Sequence, residues 1–241
     1  MTNDHSLRNS ILIAASFAVL LWALKLFELI LGVDLYNLGV YPRSQSGLLG
    51  VLAAPLKHGS WEHLIGNTLP LVLLGSMLMY GYPRSRYLAL AGIWLLSGAG
   101  VWLFARSSYH FGASGLTHGI FFYLFVGGIL RRDRRSAALL MVAFYMYGGM
   151  LLTILPIDPT VSFESHFFGA LSGAVLAYAF RNWDPKPIRK RYAWERHPEN
   201  DDDADEDPVI GDQWRVEQHE SDASVKPAHN AQADQDRDYG V

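Results

Sequence analysis

The chain has 241 residues, half of them hydrophobic and 18% charged, with a formal net charge of −3 and no cysteine. Its apolar residues fall in long blocks rather than at amphipathic spacing, which excludes a soluble globular domain and points to a polytopic membrane protein. Without cysteine, neither disulfide nor thiol chemistry singles out a compartment.

Residues 1–10 form a short polar N-terminus carrying His5 and Arg8. Apolar blocks then follow at about 11–31, 64–82, 87–105, 114–130, 136–155 and 165–181. Most are near the roughly 20 residues that a bilayer-spanning helix needs. They predict an all-α membrane domain of six transmembrane helices over residues 11–182. The first block has no small-residue cleavage site and is too long for a signal-peptide core, so it is expected to stay as an anchor. Within it, Lys25 and Glu28 stand three apart and are expected to pair or snorkel. Pro70 is expected to kink the second span, and tryptophans near span ends fit an interfacial belt.

Numbering the connections alternately places twelve lysines and arginines on one side, from Arg8 to Arg191, and only Arg43, Lys57 and Arg106 on the other. Positive flanks resist translocation, so both termini are expected to be cytoplasmic. The last segment, 183–241, changes character. From Asp184 onward it holds 16 acidic and 8 basic residues, a net of −8, against +5 for the remainder. Such a stretch buries too little apolar surface to fold alone and is expected to be a disordered cytoplasmic tail. Its basic run at 186–191 is expected to lie against anionic lipid.

With that orientation the second, fourth and sixth spans all enter from the outer face, and their first turns carry His63, Ser114 and His166. Ionisable groups inside a membrane are functional candidates by default. Ser114 is flanked by Gly112 and Gly115 where a polar loop meets an apolar helix, which suits a nucleophile awaiting a base. His63 and Asn67, spaced i, i+4, share one face of the second span and can donate hydrogen bonds to a developing oxyanion. The Ser114 backbone N–H at the start of its helix adds another donor. Gly169 and Gly173 form a small-xxx-small face that permits close helix approach. The span from Ser114 to Leu130 measures about 26 Å, shorter than a roughly 30 Å hydrocarbon core. A serine below the outer surface and a polar cavity open to water are therefore expected.

The motifs Gly112-Ala113-Ser114-Gly115, His166-Phe167-Phe168-Gly169 and His63-Leu64-Ile65-Gly66-Asn67, in this order and on these spans, resemble the rhomboid family of intramembrane serine proteases. The segment from Ala54 to His63 also resembles the family's entry into its second helix. The resemblance covers roughly residues 10–182 and implies a six-helix rhomboid-like bundle. It further implies a Ser114–His166 dyad, with His166 as the base, and an oxyanion hole of His63, Asn67 and Ser114. Substrates would be transmembrane proteins entering laterally, with the fifth span and the 155–165 loop as gate and cap.

Two positions depart from the family pattern. His118 stands four residues after the serine where many members have a tyrosine packed on the catalytic histidine. It can stack on His166, compete as a base or bind a water. Gly50 stands where many members have a Trp-Arg pair. Gly112, Gly115, His118, Gly169 and Gly173 are the expected supports of the site.

His58 and His110 are expected to make local loop hydrogen bonds, and Glu164 and Asp158 are assigned no catalytic part. There is no HExxH and no carboxylate at ligand spacing, so neither a metal nor another cofactor is expected. The partners expected are transmembrane substrates and the bilayer, not nucleic acid. The rival reading is a catalytically inert rhomboid-like protein that binds membrane clients. A small transporter would call for inverted repeats or paired broken helices, which the sequence lacks.

Overall fold

The computed structural model describes residues 6–158 and 161–187; the tail expected over 183–241 therefore lies almost wholly outside the described residues. Within them run helices α1 (Leu7–Leu31), α2 (Gln45–Ala53), α3 (Trp61–Gly81), α4 (Arg86–Phe104), α5 (Ser114–Arg131), α6 (Arg134–Tyr147) and α7 (Phe163–Phe180). Short 3-10 turns occupy Tyr36–Leu38, Ala54–Leu56 and Gly148–Leu151. Among the described residues there is no strand, only an isolated antiparallel bridge between Val40 and His110.

Helices α1 and α3–α7 stand at the six apolar blocks. Of these, α1, α3 and α4 are long and apolar enough to cross a membrane by length and composition. Helices α5 and α7 have 18 residues each but dilute their apolar content with glycine, serine and histidine. Outward-facing residues such as Val19 (66% exposed), Ile30 (77%) and Tyr145 (88%) would form costly patches in water and suit a lipid-facing surface.

Two elements differ from the sequence expectation. The fifth block was expected as one span to residue 155, yet α6 stops at Tyr147. Gly148 and Gly149 follow, each costing about 1 kcal/mol against alanine in a helix, and the chain tightens into a 3-10 turn. The first long connection also contains α2, which was not foreseen. Ser44 starts it by accepting the Gly47 N–H at 3.0 Å. Gly50 lets α2 rest on the Gly39–Val40 backbone, where any side chain would overlap main-chain atoms.

Helix α5 runs through the centre. Its Ile120, Phe121 and Leu124 share one buried cluster with Leu64, Leu71, Leu74 and Leu78 of α3 and Leu21 of α1. Trp22 Nε1 donates to Thr68 Oγ1 at 3.0 Å, tying α1 to α3. The expected Lys25–Glu28 pair is present at 3.1 Å, and Lys57 joins the same carboxylate from the loop. At the end of α5 remote from Ser114, buried Arg131 donates to Asp133 at 3.1 Å and Ser136 at 2.9 Å. Its guanidinium also reaches the carbonyls of Arg181 and Asp184, both at 3.1 Å. The Asp184 carboxylate accepts from Ser85, so this network fastens the end of α7 to α5 and to the start of α4.

Candidate functional site

The N-terminal turns of α3, α5 and α7 meet at one cavity of about 810 Å³. Its wall includes His63, Asn67, Ser114, His118 and His166, so residues about a hundred positions apart in sequence are brought together as expected. Thr153, Met150 and Ser162, which the sequence did not single out, are also part of the wall.

Ser114 is the first residue of α5, following Ala113 as N-cap. Its N–H is among the leading donors that a helix leaves without an intrahelical partner. The approach to it is set by Gly112, whose φ of +110° is a conformation L side chains rarely adopt. A Cβ at Gly112 would also run into the His63 imidazole, so glycine here gives both the turn and the space for that ring. On α3, Ser60 caps the helix by accepting the His63 N–H at 3.1 Å. One turn on, Asn67 Nδ2 donates to the His63 carbonyl at 2.9 Å and keeps a second N–H, since an amide carries two.

His118 and His166 are stacked, with ring centroids 3.9 Å apart and planes inclined by 10°. Of the three arrangements open to His118, stacking on His166 is the one observed. His118 Nδ1 donates to the Ser114 carbonyl at 2.7 Å, and Nε2 faces Thr153 Oγ1 at 2.8 Å. A carbonyl only accepts, so the proton of neutral His118 sits on Nδ1, and Nε2 takes the threonine hydroxyl hydrogen. Both nitrogens are thereby engaged. His166 Nδ1 donates to the Thr153 carbonyl at 3.0 Å by the same logic, leaving its Nε2 as the nitrogen able to take a proton.

Close contact between α5 and α7 brings these turns together. A Cβ at Gly169 would overlap the Gly115 carbonyl oxygen, and one at Gly173 the Gly119 carbonyl oxygen. The expected Gly169/Gly173 face thus meets a matching Gly115/Gly119 face, of which Gly119 had escaped notice.

The flanking histidines make the loop contacts expected of them. His110 Nε2 donates to the Arg106 carbonyl at 3.1 Å, and its Nδ1 accepts from Ser162, the N-cap of α7, at 2.6 Å. Arg106 pairs with Glu164 at 3.4 Å, so the same loop grips the first turn of α7 twice.

His58 Nε2 accepts the Ala113 N–H at 3.3 Å, one residue before Ser114. Burial, followed by the nearby His63 and Lys25, pushes its pKa down to about 4, although the Leu56 backbone and, less so, Glu28 oppose this. Folding therefore favours the neutral ring. As pH falls below about 6.5, the unfolded chain takes up a proton that the folded chain refuses, so stability should fall until about pH 4, where the folded ring also protonates. Thermal unfolding followed across this window should show a shallower slope for His58→Gln than for the wild type; equal slopes would remove His58 from the account.

A Rhomboid domain model matches residues 45–183. An uncharacterized protein of Mycobacterium bovis is 37% identical over 191 residues, covering 75% of this chain and 78% of its own length. An uncharacterized protein of Mycobacterium tuberculosis matches with the same figures. Another, of Mycobacterium leprae, is 34% identical over 173 residues and 68% of each chain. With a family match over more than half its length and relatives above 30% identity, this all-α integral membrane protein belongs to the rhomboid family.

Proposed function

We propose that the protein is an intramembrane serine endopeptidase that cuts single-pass membrane proteins in or near their transmembrane segments. The observation that carries this reading is the convergence of Ser114, His166, His63 and Asn67 on one cavity, with His166 Nδ1 committed to a carbonyl. In the proposed reaction, Ser114 Oγ attacks the peptide carbonyl carbon while His166 Nε2 takes the hydroxyl proton. The new oxyanion accepts hydrogen bonds from the Ser114 N–H, the His63 ring and the free N–H of Asn67. Collapse breaks the C–N bond, and His166 returns its proton to the leaving amine. Water, deprotonated by the same nitrogen, then hydrolyses the acyl ester and frees Ser114. No metal or cofactor takes part.

The mycobacterial relatives fit a bacterial inner membrane, and the bias of lysine and arginine supports both termini cytoplasmic and the cavity at the outer side. Substrate enters laterally past α6, with the 155–165 loop as a cap; residues 159–160 of that loop lie outside the described residues. A substrate helix must unwind to expose its backbone, so small or helix-weakening residues near the scissile bond favour cleavage.

The test is cleavage of a model single-pass substrate in proteoliposomes, with product masses locating the cut within or beside the membrane segment. His63→Ala should lower kcat by about 10²–10³, the usual cost of one oxyanion donor. Binding without cleavage, across several substrates, would favour the inert client-binding reading instead.

A further inference from the structure

Among the described residues, Thr153 is the one that holds both rings of the stacked pair. Its carbonyl accepts from His166 Nδ1 at 3.0 Å, and its hydroxyl meets His118 Nε2 at 2.8 Å. It lies just beyond the 3-10 turn Gly148–Leu151, on a segment that no helix register fixes, and forms part of the cavity wall. A free His118 Nε2 would be a second basic nitrogen, on a ring whose centroid lies 3.9 Å from that of the ring proposed as the base. The hydroxyl, whose other acceptor is the Met150 carbonyl at the longer distance of 3.3 Å, occupies that nitrogen at 2.8 Å. It also ties the His118 plane, and through the 10° stack the His166 plane, to the same backbone unit that fixes the His166 tautomer.

We propose that Thr153 is a positioning residue for the Ser114–His166 reaction, its hydroxyl locking His118 as a neutral, single-orientation platform for His166. The assignment rests on the protease reading above. His118 and Thr153 form a matched pair on this view, the hydroxyl compensating for an imidazole where a phenol ring commonly packs.

The experiment measures the rate at which a fluorophosphonate probe acylates Ser114 in the full chain, together with kcat and KM on a cleaved substrate. Thr153→Val removes the hydroxyl at nearly constant shape and should slow labelling and kcat by about three- to tenfold, the scale of one lost hydrogen bond, while KM holds. Thr153→Ser should restore both rates. In a His118→Phe background, where Nε2 is gone, Thr153→Val should have no further effect, the non-additivity expected of two groups acting through one contact. Wild-type rates in Thr153→Val, no rescue by Thr153→Ser, or full additivity with His118→Phe would each overturn the assignment. Failure of the wild type itself to label would instead overturn the protease reading on which it stands.

Discussion

Ser114→Ala and His166→Ala are each expected to lower substrate cleavage by a factor on the order of 10⁵ while leaving the protein folded. In the proposed mechanism no acyl ester forms without Oγ, and without the His166 imidazole the nitrogen held ready for the hydroxyl proton is lost. His118 does not substitute. It lies one turn below the serine, but its nitrogens are committed to the Ser114 carbonyl and the Thr153 hydroxyl. The two losses should be far from additive, because either change disables the same step: the double variant should be no slower than the worse single variant. Initial rates in liposomes, with thermal unfolding run in parallel, check this. Substantial cleavage by Ser114→Ala would end the proposed mechanism.

The second large effect is structural. Gly169→Val should abolish the native contact between α5 and α7, because the new Cβ would fall on the Gly115 carbonyl oxygen, which belongs to the backbone of another helix and cannot rotate aside. Overpacking of a tight core typically costs about 1–3 kcal/mol, and a backbone clash at the closest helix approach belongs at or above the top of that range. The contact also sets the distance between the turns that carry Ser114 and His166, so fluorophosphonate labelling should fail with it. Gly66→Ala provides the contrast: a Cβ there meets nothing within 4 Å, and the change gains helix propensity of up to about 1 kcal/mol. Thermal unfolding in detergent should rank Gly66→Ala at or above wild type and Gly169→Val far below it. The reverse ranking would mean that the glycine seam does not hold the bundle.

Hydropathy made the long helices legible, since a lipid-facing surface must be written as unbroken apolar residues whatever the helix packs against. Glycine pairing was half legible. The Gly169/Gly173 spacing stands out on α7, whereas Gly119 acquires meaning only once α7 lies on it. Helix α2 was hidden because nine residues containing Gly47 and Gly50 give too weak a helical signal, and its position depends on contact with the Gly39–Val40 backbone. Ser114, His63 and His166 were readable because each sits on the first turn of a span, where topology alone assigns depth, and Asn67 because it stands one turn on from His63 on the same face. Thr153 was not. It meets the two rings through its carbonyl, which every residue owns, and a hydroxyl common to all threonines, from a turn beyond the 3-10 segment that no periodic pattern marks. Lys57 likewise reaches Glu28 across a connection whose fold no local spacing encodes.

The most direct test of the central claim is peptide mapping by mass spectrometry after fluorophosphonate treatment of the purified protein. A single covalent adduct on Ser114, absent from His166→Ala, is the predicted result, because only a serine whose proton is taken by His166 is nucleophilic enough to displace fluoride. An unlabelled Ser114 in folded wild-type protein, or equal labelling in His166→Ala, would contradict it.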